Sequence, residues 1–454
     1  MASVGQKKRD GFGSKFGVIM AAAGSAVGLG NIWRFPYVAG ENGGGAFLLI
    51  YIGFVVLIGV PAMIAELTIG RRGQSDAVGS FKNLRKGSLW WLIGFGGIAT
   101  AFMILAFYST VAGWTMHYTY LAVIDAFSGK SVDELNRIFE QFHTSSFMPI
   151  FWQVVFMALS AGIILGGVKN GIEKYTKVLM PLLFVILIIL DIRALTLEGA
   201  KAGLEFLFKP DFSKVTSATL LEALGQAFFS LSLGMGVLIT YGSYISKKDN
   251  LTNTAFEVAF FDTMVAILAG VAIFPAVFAF GIQPNAGPEL VFLTLPNLFQ
   301  QMAGGYFFAV LFFLLLVVAA VTSSISLLEV VVAYFVEEFG MSRKVATLYT
   351  AGGSLFLGIL STLSFGVLKD KTIFGNTVFD LLDFVSSNIM LPLGGLLIVI
   401  FVGWVLKKED VRDELTNGGT LKLRFCGLFR FLIKFVVPVA IALVFMNSIG
   451  LIKF

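Results

Sequence analysis

Eleven stretches of this chain are apolar over a length that crosses a lipid bilayer, and nothing else in the sequence restricts the fold so much. Crossing about 30 Å of hydrocarbon takes about 20 apolar residues in a helix. The stretches cover residues 16–37, 44–69, 90–124, 149–167, 175–193, 218–243, 255–281, 305–336, 345–363, 378–405 and 431–450, hereafter spans 1 to 11. Backbone polar groups find no water in lipid, so each stretch must satisfy its own hydrogen bonds as a helix. Charged residues make up only 13% of the 454, against about a quarter in a soluble domain, because a lipid-facing surface cannot carry them. The 47 phenylalanines and 50 glycines suit packed transmembrane helices. An all-α membrane protein is expected, with residues 1–454 forming one transmembrane domain in the lipid bilayer.

Span 1 has no A-x-A-like exit and carries Arg34 near its end, so no cleavable leader is expected. Cys426 is the single cysteine, which excludes an intrachain disulfide and C-x-x-C chemistry. With only His117 and His143, a histidine metal site is not expected. The net charge of +5 reflects topology rather than nucleic-acid binding. With the N-terminus inside, 22 of the 33 basic residues fall in inner segments and 9 in outer ones. That bias predicts a cytoplasmic N-terminus, an outer C-terminus and a location in the cell's inner (plasma) membrane. Residues 125–148 and 195–217 read as outer loops. Residues 282–304, cut by Pro284, Pro288 and Pro296, read as an outer lid or re-entrant hairpin.

Two spans are interrupted where leucine would be ordinary. Span 1 contains AGSAVGLGN over 23–31, and span 6 contains FSLSLGMG over 229–236. Small residues there could simply let helices pack closely. A helix broken in mid-membrane is the other reading, since it bares carbonyls that suit a cation and N–H groups that suit a carboxylate. Breaks in spans 1 and 6 are five apart, the sign of a five-plus-five inverted repeat. The repeats would cover about 12–195 and 215–405, with an extra helix at about 431–450.

The stretches AGSAVGLGNIWRFP (23–36), ENGGGA (41–46), GQAFFSLSLGMG (225–236) and TSSIS (322–326) resemble the neurotransmitter:sodium symporter family, from about residue 9 to 405. The resemblance implies Na⁺-driven import of an amino acid by alternating access, and eleven spans are typical of bacterial members. It places one Na⁺ on the Ala26 carbonyl, the Asn31 side chain, Ser230 and Asp262, where the family commonly has Asn within one position. It places a second on the carbonyls of Gly24, Val27 and Ala319 and the hydroxyls of Thr322 and Ser323. Na⁺ is hard and wants about five or six oxygens. On their own, hydroxyls at 322–324 could equally bond carbonyls of their own helix.

The same resemblance sets the substrate carboxylate on the Leu29 and Gly30 N–H groups and the Tyr108 hydroxyl. The ammonium would meet the carbonyls of Ala26, Phe229 and Ser230 and the Ser232 hydroxyl. Ser25, Ile104, Tyr108, Phe229, Met235, Ser323 and Leu327 would line the side-chain pocket. None is charged, and bacterial relatives often have Phe where Met235 stands, so large hydrophobic or aromatic substrates are expected. Asp262 would balance the sodium charge, making transport independent of chloride. Arg34 and Asp383 would pair as the outer gate with Phe229 as a lid, and Arg9 would pair with Glu337 at the inner gate. Glu66 reads as a structural acceptor near span 6.

In span 5, Gly171 and Pro181 have nine residues between them. Either the helix starts at Lys177 and carries proline in its first turn, or the segment winds and unwinds to admit water to the second cation site. A channel filter, a Ser–His or paired-Asp enzyme centre and a dinucleotide motif at 24–30 find no support in the sequence, and no enzyme is expected. An amino-acid sensor of the same fold remains the alternative to a transporter.

Overall fold

The computed structural model describes residues 10–281, 290–422 and 426–452, and every regular element among them is helical. Nine continuous helices among the described residues are long and apolar enough to cross a bilayer: Gly45–Gly73, Trp91–Val123, Met148–Leu165, Val168–Leu195, Leu251–Ala279, Gly305–Phe339, Arg343–Leu363, Val378–Val405 and Cys426–Ser448. These are spans 2 to 5 and 7 to 11. Span 1 is a bent pair, 1a (Lys15–Ala26) and 1b (Gly30–Glu41), with 51° between the halves. Span 6 is also two helices, 6a (Ser217–Ser230) and 6b (Val237–Tyr244). The first helix of each group of five is therefore the broken one.

Span 1a lies against spans 7 and 8, span 8 runs along span 3, and span 6b packs on span 2. The last of these contacts depends on Gly70, since any Cβ there would run into the Ile239 carbonyl of span 6b. Exposed large apolar side chains such as Phe260, Phe356 and Val185 line the helices' outward faces, as a lipid environment requires.

Two outer segments read as loops contain helices. Val132–His143 opens on a capping box, in which Ser131 and Glu134 satisfy each other's backbone N–H groups, and buries Leu135, Phe139 and Phe142. Ala200–Phe208 packs through Gly203 onto the backbone at Pro275. Both are shorter than a span, so the search for long apolar runs passes over them. Of the segment at 282–304, residues 282–289 lie outside the described residues, and the remainder includes the short helix Leu295–Gln301. Span 5 does not begin at Lys177. It winds from Val168 through a wide π-type turn into Lys174–Leu195, leaving Pro181 in the helix interior.

Candidate functional site

The break in span 6 is held by backbone angles that ordinary helix cannot adopt. Ser232, Gly234 and Gly236 have φ of 55°, 84° and 75°. Left-handed angles cost little at glycine and more at serine. The fully buried Glu66 stabilises the break, its Oε1 accepting the Gly234 N–H at 2.7 Å. In span 1 the helix stops at Val27, whose extended ψ of 108° turns the chain out. The Gly28 N–H then donates to Asn31 Oδ1 at 3.1 Å.

The twelve residues that the resemblance assigns to substrate all line one cavity of about 40 Å³, together with Gly28. At one side the Leu29 N–H donates to the Tyr108 hydroxyl at 3.4 Å. At the other the Ser232 hydroxyl donates to the Ser25 carbonyl at 3.0 Å. A Cβ on Gly28 would stand 2.5 Å from Ser323 Oγ and 3.3 Å from the Tyr108 hydroxyl oxygen, so any larger residue would displace the Ser323 hydroxyl. Ile104, Met235 and Leu327 form buried apolar wall, and among the described residues no acidic or basic side chain lines the space. The arrangement suits a zwitterion with an apolar side chain: donors at one end, carbonyl and hydroxyl oxygens at the other, and neutral walls.

Beside the cavity, four side chains of the proposed first cation site and its surroundings form one buried cluster. Asn31 Nδ2 donates to Asp262 Oδ1 at 2.7 Å and to Ser230 Oγ at 2.9 Å. The Ser230 hydroxyl reaches both Asp262 oxygens, at 2.9 and 3.0 Å. The Tyr51 hydroxyl donates to Asp262 Oδ2 at 3.2 Å. Every hydrogen bond to the Asp262 carboxylate in this set comes from a neutral donor. A buried carboxylate without a cationic side chain is costly, and a bound monovalent cation would relieve that cost.

The second group of oxygens lies between spans 1 and 8. Thr322 Oγ1 is 3.0 Å from the Ala319 carbonyl, 3.1 Å from that of Val318 and 3.5 Å from that of Val27. Ser323 Oγ is 3.1 Å from the Val27 carbonyl and 3.4 Å from that of Gly24. Thr322 thus bonds its own helix and also faces the broken one, so both readings of the hydroxyl run describe it. All five residues assigned to this cation site meet here. The oxygens gathered here are backbone carbonyls and hydroxyls, a donor set that suits a hard cation.

On span 1b, the Arg34 guanidinium sits over the Phe229 ring, 5.0 Å from its centroid. Asp383 Oδ1 accepts the Ser387 hydroxyl at 2.7 Å. Among the described residues no ion pair within 4.0 Å joins Arg34 to Asp383. Where span 8 ends, Glu337 Oε2 accepts the Asp76 N–H at 2.7 Å and the Ser75 hydroxyl at 3.0 Å; Arg9 lies outside the described residues. Burial and the neighbouring Glu337 push the Asp76 carboxyl up to about 6, although backbone N–H groups of Gly79 and Val78 oppose the shift.

One charged group escaped the reading of the sequence. Glu329, fully buried in span 8, accepts the Tyr244 hydroxyl at 2.9 Å and pairs with Arg343 at the start of span 9. A carboxylate inside an apolar span (LLEVV) is itself a signal of a buried partner. The partner could not be named, because Arg343 reads as an ordinary inner-loop cation.

The sequence matches the sodium:neurotransmitter symporter family over residues 9–137 and 141–453. An uncharacterised sodium-dependent transporter of Bacillus subtilis is 42% identical over 442 residues, covering 97% of this chain and 98% of that protein. One of Haemophilus influenzae is 40% identical over 458 residues, covering 98% and 99%. A crystal structure of MhsT in complex with L-phenylalanine shares 48% identity and superposes with a TM-score of 0.89, over 97% of this chain and 100% of MhsT.

Proposed function

Because this chain belongs to the sodium:neurotransmitter symporter family, we propose that it is a symporter importing large hydrophobic and aromatic amino acids with Na⁺, by alternating access and without chloride. The observation that carries this reading is the cavity at the breaks of spans 1 and 6. It offers N–H donors and carbonyl oxygens to the two ends of an amino acid and only uncharged walls to its side chain. The phenylalanine in MhsT, a protein of the same fold, supports the same substrate class.

Two Na⁺ ions are assigned. The first takes the Ala26 carbonyl, Asn31, Ser230 and Asp262, with Asp262 supplying the negative charge. The second takes the Gly24, Val27 and Ala319 carbonyls with the Thr322 and Ser323 hydroxyls, between the static span 8 and the bent span 1a. Its loss would free span 1a to swing. Arg34, Phe229 and Asp383 close the outer path, and Arg9 with Glu337 the inner one. The protein is placed in the cell's inner membrane with the N-terminus in the cytoplasm and the C-terminus outside, as the basic residues direct.

The deciding experiment is displacement of a bound radiolabelled aromatic amino acid by each of the twenty, in Na⁺ and in K⁺, followed by uptake into proteoliposomes. Displacement by Phe, Tyr, Trp and Leu ahead of Gly and Ala is expected, in Na⁺ only. Tight binding of Glu or Lys alone, or equal binding in K⁺, would overturn the proposal. Na⁺-dependent binding without uptake would make the protein a sensor.

A further inference from the structure

A groove of about 640 Å³ lies far from the substrate cavity, where the end of span 10 and the start of span 11 meet the short helix Lys408–Leu415. Among the described residues four cations line it, Lys408, Arg412, Lys422 and Arg430, and no acidic residue does. The absence of acid is not a matter of composition, because the helix sequence KEDVRDEL carries four carboxylates. Helical register sorts them. Lys408, Val411, Arg412 and Leu415 follow the spacing of one helix face and look into the groove. Asp410, Asp413 and Glu414 turn the other way, onto span 2. Arg72 pairs with Asp410 at 2.5 Å and with Asp413 at 3.2 Å, and Arg71 with Glu414 at 2.7 Å, both partners of the last pair being buried. Span 2 thereby takes up three of the helix's four carboxylates, and the fourth, Glu409, is exposed and does not line the groove. Among the described residues none of the groove's four cations forms an ion pair.

The rest of the groove is apolar, with Leu406, Val411, Phe429 and Ile433 as its wall. Its depth relative to the bilayer is marked by Trp404, 57% exposed on the last turn of span 10, whose indole N–H donates to the Lys434 carbonyl at 3.2 Å. Tryptophan concentrates at the headgroup level of membranes. A free inorganic anion would use the cations and gain nothing from the apolar wall. A lipid with a negatively charged headgroup uses both.

We propose that this groove binds one anionic phospholipid, its phosphate among Lys408, Arg412, Lys422 and Arg430 and an acyl chain along Leu406, Phe429 and Ile433. That the leaflet is the cytosolic one rests on the orientation proposed above; the binding itself does not. Each cation near an anionic lipid contributes about a fivefold factor in affinity.

The chain's single cysteine, Cys426, lines the groove, so the unaltered protein reports on occupancy. Delipidated full-length protein in neutral detergent is labelled with a maleimide in the presence of phosphatidylglycerol, phosphatidylcholine or inorganic phosphate, and its mass is recorded intact. Phosphatidylglycerol is expected to slow labelling at least about fivefold and to remain bound in the mass spectrum, with the other two ineffective. Arg412→Gln with Lys422→Gln is expected to weaken retention about 25-fold, Arg412→Lys to preserve it, and Lys369→Gln on the opposite side to change nothing. Equal protection by phosphatidylcholine or phosphate, full retention in the double variant, or protection that appears only with a dimer's mass would overturn the proposal.

Discussion

Asn31 of span 1b donates to the Asp262 carboxylate of span 7 at 2.7 Å, deep in the protein where neither side chain is exposed. The contact ties the broken helix to a buried, ionisable carboxylate. Ser230 at the end of span 6a and Tyr51 of span 2 donate to the same carboxylate, so one side chain links four spans. If its charge balances the first Na⁺, transport in gluconate will equal transport in chloride. Replacing Asp262 by Asn keeps the shape and removes the charge, and is expected to weaken Na⁺ activation by about 3 kcal/mol, roughly a hundredfold. Added chloride will recover part of that loss. An absolute chloride requirement in the unaltered protein would falsify the assignment.

Thr322 offers its hydroxyl to carbonyls of its own helix and to the unwound Val27. Thr322→Ala removes one oxygen from the second cation site, and an oxygen facing an ion contributes about 1.5–3 kcal/mol. Half-saturation by Na⁺ is expected to rise roughly tenfold or more, while substrate affinity at saturating Na⁺ stays near the original. Thr322→Ser, which keeps the oxygen, will preserve Na⁺ affinity. If both variants behave alike, the hydroxyl only packs.

Pro181 stands in the interior of the wound span 5. It removes one backbone hydrogen bond there and weakens the turn before it. If reversible unwinding lets water reach the second cation site, Pro181→Ala will restore about 1 kcal/mol of helix and slow uptake about fivefold. Equilibrium binding from outside will hardly change. Stopped-flow substrate efflux from proteoliposomes separates the two effects, and equal losses of binding and flux would rule the unwinding out.

Asp76 caps the helix Ala77–Leu84 through the Val78 and Gly79 N–H groups while lying against Glu337. Its carboxyl titrates at about 6, above the ordinary value of 3.8, so folding disfavours its charged form. The cost is fully present above pH about 6 and fades as pH falls towards about 4. Asp76→Asn keeps a capping oxygen and removes the charge. In detergent it is expected to be more stable by about 2 kcal/mol near neutral pH, with the difference gone near pH 4. A gain independent of pH would mean that charge is not its cause.

The spans, their order and the two interrupted helices were legible from the sequence, because the requirement to satisfy backbone groups in lipid acts locally and leaves its mark on every long apolar run. Among the described residues nine continuous spans and the bent pair of span 1 fall on ten of the expected segments, with ends shifted by up to about seven positions, and the two short helices 6a and 6b cover the eleventh. The outer helices Val132–His143 and Ala200–Phe208 were not legible as such. They are short, and what stabilises them is the surface they cover rather than their own length. Gly28 stood inside a quoted motif, yet what a Cβ there would meet, Ser323 and Tyr108, is distant in sequence. Likewise Glu329 was visible as a buried charge, while its partner Arg343 was not. Nor does the sequence of Lys408–Leu415 say which of its charges face span 2 and which face the groove. Hydrophobic length and helix-breaking residues are properties of adjacent positions, so the chain alone determined the spans and their breaks. Charge pairing across helices and the approach of two backbones depend on rotation and packing of whole spans, and only the tertiary structure decided those.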